Sequence, residues 1–323
     1  MTRLERIIIS FHPIAWLLKQ SKKVFLPGFQ GVALYDVMEF FVQQVKKIGF
    51  SERAAAISFN FLMAIPAGMI FLFTLVPYLP VSKEFTDELL IAVHDILQNE
   101  TTFKLVQSVI IDVLTIPRSG LLSFSFLAAL FFSSNAMMGV MQTFDRSFFQ
   151  ERKKKFMYKR WTAIKLTSLL LLLVFVSVLL LTTQGPLQKK FENKLGLTDT
   201  TISTIVDYAR WLVIISLNFF SIAFIYKYAT AVKIRWKTFS PGAILATALT
   251  IFTSYVFSIW VNNFGQYNQL YGSIGTLLII MNLVYINALI LLIGFELNVS
   301  ITTIKARVLQ RKKDEAEGSA PKG

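Results

Sequence analysis

From Lys237 to Glu296 the chain carries no charged side chain at all. A helix rises about 1.5 Å per residue, so roughly 20 residues cross the ~30 Å hydrocarbon layer of a bilayer. This run is therefore too long for one crossing. It divides at VNNFGQYNQLYGS, where two glycines and a cluster of Asn and Gln interrupt the apolar pattern and supply turn chemistry. Spans are expected near 240–261 and 272–295, the first opened by Ser240 as N-cap and Pro241 in the first turn.

The same search for uncharged runs finds four more spans. They lie between Arg53 and Lys83, Arg118 and Asp145, Lys165 and Lys189, and Arg210 and Lys227, the last borrowing residues upstream of Arg210. Pro66, inside the first, removes a backbone donor and should kink it. The expected fold is an all-α, polytopic membrane protein with six transmembrane helices, amphipathic interfacial helices and a small helical cap. Its parts are a cytoplasmic N-terminal segment (1–53), a transmembrane domain (54–304) that includes an extracytoplasmic cap (80–119), and a basic, polar, disordered tail (305–323). Composition agrees: 54% of the 323 residues are apolar and only 16% charged, against about 25% charged in average chains. An ordinary soluble enzyme is excluded. With no cysteine, disulfides, thiolate nucleophiles and Cys-ligated metals are excluded too.

The net charge of +14 would suit nucleic acid, anionic lipid or the cytoplasmic rim of a membrane protein. Placement decides. The segment to Arg53, the 145–165 and 227–239 connections and the tail after Glu296 hold 26 of the 33 Lys and Arg. Positive residues are retained in the cytoplasm, so both termini are expected there. The run ERKKKFMYKR (151–160) reads as a retention signal and a contact for anionic headgroups rather than as a nucleic-acid patch. Residues 1–29 lack a sustained apolar core before a small-residue cleavage site, so the first span is expected to direct insertion.

Outside the bilayer, Leu34, Met38, Phe41, Val45 and Ile48 recur at helical spacing and predict one apolar helix face, laid on the interface or packed on the bundle. In the cap, Phe85, Leu89, Val93 and Ile96 form one stripe and Val106, Val109, Ile110, Val113 and Leu114 another, predicting two short amphipathic helices.

The chain is poor in catalytic groups. His12 and His94 are isolated, the cap carboxylates suit solvated helix faces, and no phosphate loop, nucleophile elbow or dinucleotide fingerprint occurs. No metal or cofactor is expected. Polar residues within spans are more informative, because each must find a partner or line a cavity. Asn60, Asn135, Asn218, Asn282 and Asn287 are candidates for a substrate pathway, although interhelical hydrogen bonding would account for any one of them. Asn263, Gly265, Tyr267, Asn268, Tyr271 and Gly272, in the uncharged connection, are candidates for a gate or lining loop. Glu296 closes the sixth span without an acidic neighbour and needs a cation at that depth. Arg53 and Arg146 are predicted at the same level, either as one half of a structural salt bridge or of a gate.

AAAISFNFLMAIP (54–66), FDRSF (144–148), SPGA (240–243), NNFGQYNQLYGSIGT (262–276) and GFELN (294–298) closely resemble the YihY/virulence factor BrkB family, over about residues 30–304. The resemblance implies a bacterial inner-membrane protein with six helices, in a family some of whose members once carried the ribonuclease BN label. It further implies a cell-envelope role, as a transporter or lipid-handling protein; the polar Asn set, the uncharged 262–272 connection and the basic cytoplasmic collars point to a flippase-like protein for an amphipathic or anionic substrate, and the lack of catalytic groups argues against an enzyme. The alternatives are a scaffold for envelope assembly and a membrane-tethered ribonuclease. Expected partners are anionic membrane lipids and an unidentified small-molecule or lipid substrate, with a homo-oligomer open and no nucleic acid.

Overall fold

The computed structural model describes residues 28–29, 31–47, 49–78, 90–91, 93–94, 100–147, 156–182, 199–230, 236–262 and 265–318. His12, Ile48, Phe85, Leu89, Ile96, residues 151–155 of the basic run and Asn263 lie outside the described residues. Eight α-helices organise the rest: α1 (Leu34–Lys47), α2 (Phe50–Leu75), α3 (Glu100–Thr115), α4 (Ser119–Asp145), α5 (Phe156–Thr182), α6 (Asp199–Tyr228), α7 (Pro241–Asn262) and α8 (Gly265–Gly318). Among the described residues, six helices are long and apolar enough to span a membrane: α2, α4, α5, α6, α7 and α8.

Contacts between spans run from α2 to α4, α5, α6, α7 and α8 and back from α8 to α2, which closes the six into a ring. Large side chains such as Phe124, Phe252 and Tyr255 stay exposed on its outside, where lipid is the solvent. Inside, many of the buried positions are small, among them Ala54, Ala129, Ala163, Ala223, Ala243, Ala246 and Ala288. Small residues let helix backbones approach, which in a membrane replaces hydrophobic exclusion as the source of packing. Between them sits an aromatic centre. Phe144 of α4 stacks on Phe295 of α8 with ring centroids 3.6 Å apart, and Tyr226 of α6 and Trp236 close on Phe295 from two sides.

The start of α7 is built as the sequence suggests. Pro241 is its first residue, and the Ser240 Oγ accepts the Ala243 N–H at 3.3 Å. Gly242 and Gly294 then bring α7 and α8 together so closely that a Cβ on Gly242 would lie 2.0 Å from the Gly294 carbonyl oxygen. Asn298, one turn further along α8, accepts the Gly242 N–H at 2.9 Å and donates to the Ser240 Oγ at 3.0 Å. The SPGA and GFELN motifs are thus two halves of one joint, in which α8 satisfies the orphan donor of the α7 N-terminus.

Four expectations are corrected. The 262–272 connection is not a long loop: α7 ends at Asn262 and α8 begins at Gly265, so Gly265, Tyr267, Asn268, Tyr271 and Gly272 have helical backbone, while residues 263–264 lie outside the described residues. A single glycine costs a helix only about 1 kcal/mol, which its neighbours absorb. The tail likewise continues the helix to Gly318. Its Lys, Ala, Arg, Leu, Gln and Glu are strong helix formers, and polarity alone does not end a helix. Helix α5 starts at Phe156, ahead of the expected span, so Lys159, Arg160 and Lys165 ride on it. In α1 the buried stripe is rotated from the predicted one: Val37 and Phe40 are buried while Met38 is 44% exposed. The reason is its partner, since α1 packs on Leu297 and Ile301 of α8, with the Arg307 guanidinium 4.9 Å from the Phe40 ring centroid. The cap contributes α3, which rests on the turn Val76–Tyr78 after α2. Ahead of it His94 meets the Phe103 ring edge-on. Val109 of its predicted stripe is exposed. Helix α2 runs unbroken through Pro66.

Candidate functional site

One end of the ring is held by an ion pair with almost no surface of its own. Arg53, in the first turn of α2, is 1% exposed and Glu296 of α8 is 0% exposed. The Arg53 Nη1 donates to Glu296 Oε1 at 2.7 Å. Its Nη2 donates to the Thr143 carbonyl at 3.0 Å and to the Ser147 Oγ at 2.8 Å, and Ser147 donates in turn to Glu296 Oε1 at 2.5 Å. Thr143 belongs to the last turn of α4, where its carbonyl also accepts the Arg146 N–H at 3.2 Å. One guanidinium therefore neutralises a carboxylate of α8 and caps the negative end of the α4 dipole. Three helices meet in it.

The pair is not the two-pronged fork that an arginine can offer a carboxylate. Its second link runs through Ser147, and Arg53 Nε and Glu296 Oε2 are buried without a partner among the described residues. Arg146 takes no part in this pair: it is exposed, one residue from Ser147 on another side of the chain. A second charged contact lies at the same end, between Lys159 of α5 and the buried Asp145 of α4.

The five asparagines separate. Asn218 of α6 and Asn287 of α8 come together on one cavity of about 380 Å³ between α2, α6, α7 and α8. Its walls include Phe61, Ile65, Ile222, Val284 and Leu291. Asn287 donates to the Leu283 carbonyl of its own helix at 2.9 Å, whereas Asn218 Oδ1 is buried without a hydrogen-bond partner among the described residues. Nine residues separate Asn287 from Glu296, so the cavity lies roughly 14 Å further into the bundle than the ion pair, about half the hydrocarbon thickness. The other three asparagines go elsewhere. Asn60 donates to the Ala56 carbonyl at 2.7 Å and fills the space left by the missing side chain of Gly139. Asn135 accepts from Arg160, whose guanidinium also lies over Phe131. Asn282 is exposed: at 100° per residue it stands roughly 140° around α8 from Asn287 and cannot share its face.

Sequence reasoning missed Ser147, the Thr143 carbonyl and Arg160. The first two had a signal, because the last turn of a helix and the residues just beyond it are where carbonyls lose their i+4 partners and side-chain caps gather. Arg160 was counted with the basic connection, and only the early start of α5 carries it into the packed region.

This architecture defines a multi-pass α-helical membrane protein with a sealed polar knot at one end and a cavity at mid-depth. The chain belongs to the family described as virulence factor BrkB, whose model matches residues 41–318. A protein of Bacillus subtilis (strain 168) named as ribonuclease-like, YfkH, is 29% identical over 246 residues, covering 76% of this chain and 88% of that one. A UPF0761 membrane protein of Idiomarina loihiensis is 27% identical over 116 residues, 36% of this chain and 41% of its own length. A UPF0761 membrane protein of Xanthomonas oryzae pv. oryzae is 26% identical over 101 residues, 31% of this chain and 24% of that protein. No solved structure matches the chain significantly.

Proposed function

We propose that the protein binds an amphipathic envelope molecule within its helix ring and moves it between the two halves of the bilayer. The observation that carries this reading is the cavity at mid-depth, where two asparagines from α6 and α8 face a largely apolar space. A packed structural bundle gains nothing from an unanswered carboxamide oxygen in such a place, which costs about 1–3 kcal/mol. A binding site does. The Arg53–Glu296 knot serves as the cytoplasmic closure, because separating it would free α2, α4 and α8 together. In this reading the membrane is the bacterial inner membrane, both termini are cytoplasmic, and the basic connections hold anionic headgroups at that face.

The second reading, RNA cleavage, is favoured by the name of the Bacillus subtilis relative. Purified full-length protein in phospholipid vesicles distinguishes them. Movement of a fluorescent phospholipid between leaflets above protein-free vesicles, with a labelled RNA left intact, is the expected result. RNA cleavage without lipid movement would replace this reading with the second, and neither activity would leave a scaffold.

A further inference from the structure

We infer that the cavity takes the uncharged, hydrogen-bond-donating part of its ligand, a hydroxyl or amide N–H on an aliphatic chain, and that Asn218 is the residue that selects it. This deepens the reading above and rests on it. None of the side chains lining the cavity is charged, so an ionised carboxylate or phosphate placed there would lose its hydration with no counter-ion in return. Any anionic portion of the ligand stays at the basic rim.

What the cavity does offer is an acceptor. Besides Asn218, the polar side chains on its wall are Ser221, Asn287 and Thr250, and the first two already spend donors on the carbonyls of Leu217 and Leu283 in their own helices, at 2.8 and 2.9 Å. Asn218 Oδ1 is buried and unanswered among the described residues. A neutral donor entering among Phe61, Ile222 and Leu291 answers it and leaves the aliphatic chain against apolar walls. An ester of the same length, having no donor, leaves the oxygen as it was.

Three molecules sharing one eighteen-carbon chain test this: oleyl alcohol, methyl oleate and oleate. Native mass spectrometry of the full-length protein in detergent, with the three in equimolar competition, reads their occupancy directly. One hydrogen bond in a dry site is worth roughly tenfold in affinity, so the alcohol adduct is expected to exceed the ester and the anion by about that factor. Asn218→Leu should equalise alcohol and ester, and Asn282→Leu, at an exposed position, should leave the preference intact. Equal occupancy in the wild-type protein, preference for the ester or the anion, or a preference that survives Asn218→Leu would overturn the inference. The wild-type competition decides even if a variant fails to fold. Vesicle transport with no preference for the alcohol would discard the role of Asn218 and leave the proposed function standing, whereas preference without transport would do the reverse.

Discussion

Glu296 is the residue on which three helices depend, and its energetics follow from its burial. Removing one member of a buried pair strands the other charge, which costs about 3–5 kcal/mol, while an exposed pair contributes at most about 1. Glu296→Gln and Arg53→Gln are therefore each expected to lower stability by about 3–5 kcal/mol, read as the midpoint of thermal unfolding in detergent. Glu315→Gln, at an exposed position on the far end of α8, should stay within about 0.5 kcal/mol. The double variant Arg53→Leu/Glu296→Leu strands no charge and should recover much of the loss. If it is as unstable as the two single losses added together, the pair is not coupled. Ser147→Ala, which removes one bridging hydroxyl, should cost less than either charge. The pairing of Glu296 with a cation was legible in the sequence because a carboxylate cannot sit alone at that depth. The choice of Arg53 over Arg146 was not. It depends on the angle at which α4 ends, which no charge count contains.

At the scale of elements, the joint between α7 and α8 makes the sharpest claim. A methyl group on Gly242 or Gly294 meets backbone at 2.0 or 2.4 Å, and backbone cannot rotate away as a side chain can. Gly242→Ala or Gly294→Ala should push the helices apart and destabilise by about 1–3 kcal/mol or more. Gly68→Ala in α2, where a Cβ meets nothing within 4 Å, is expected to be neutral or slightly stabilising in the same unfolding measurement. Asn298→Leu should cost about 1–3 kcal/mol, since it leaves the Gly242 N–H buried without its acceptor. The start of α7 was readable from Ser240 and Pro241, whose chemistry is local. The end of α7 was also close to expectation, but the start of α8 was misread for the complementary reason: glycines and amides permit a turn without requiring one, and α8 already begins at Gly265. Residues 305–318 of the tail were misread because charge density is a sign of solvation, and helical backbone is compatible with solvation.

For the whole molecule, the number of spans was legible and their arrangement was not. Hydrocarbon thickness fixes span length, so uncharged runs count the crossings. Which helix touches which is hidden, because spans such as α5 are apolar on faces that meet lipid and on faces that meet protein alike. The ring, and with it the cavity between α2, α6, α7 and α8, appears only in three dimensions. Orientation is tested simply, since the chain has no cysteine background. With impermeant thiol reagents on intact cells, Asn99→Cys should label, and Lys155→Cys and Lys312→Cys should label only after the membrane is opened. The reverse pattern would invert the protein and place the Arg53–Glu296 closure on the outer face. The proposed function itself turns on whether the cavity is the route. Val284, which lines it, can be replaced by Trp to fill it, with unfolding used to establish that the variant remains intact. The decisive measurement is the rate at which a fluorescent phospholipid changes leaflet in vesicles carrying wild-type protein, Val284→Trp protein or none. The account predicts fast exchange for the wild type and a rate near that of protein-free vesicles for the filled variant. Wild-type vesicles no faster than protein-free ones, or a filled variant as fast as the wild type, would contradict it.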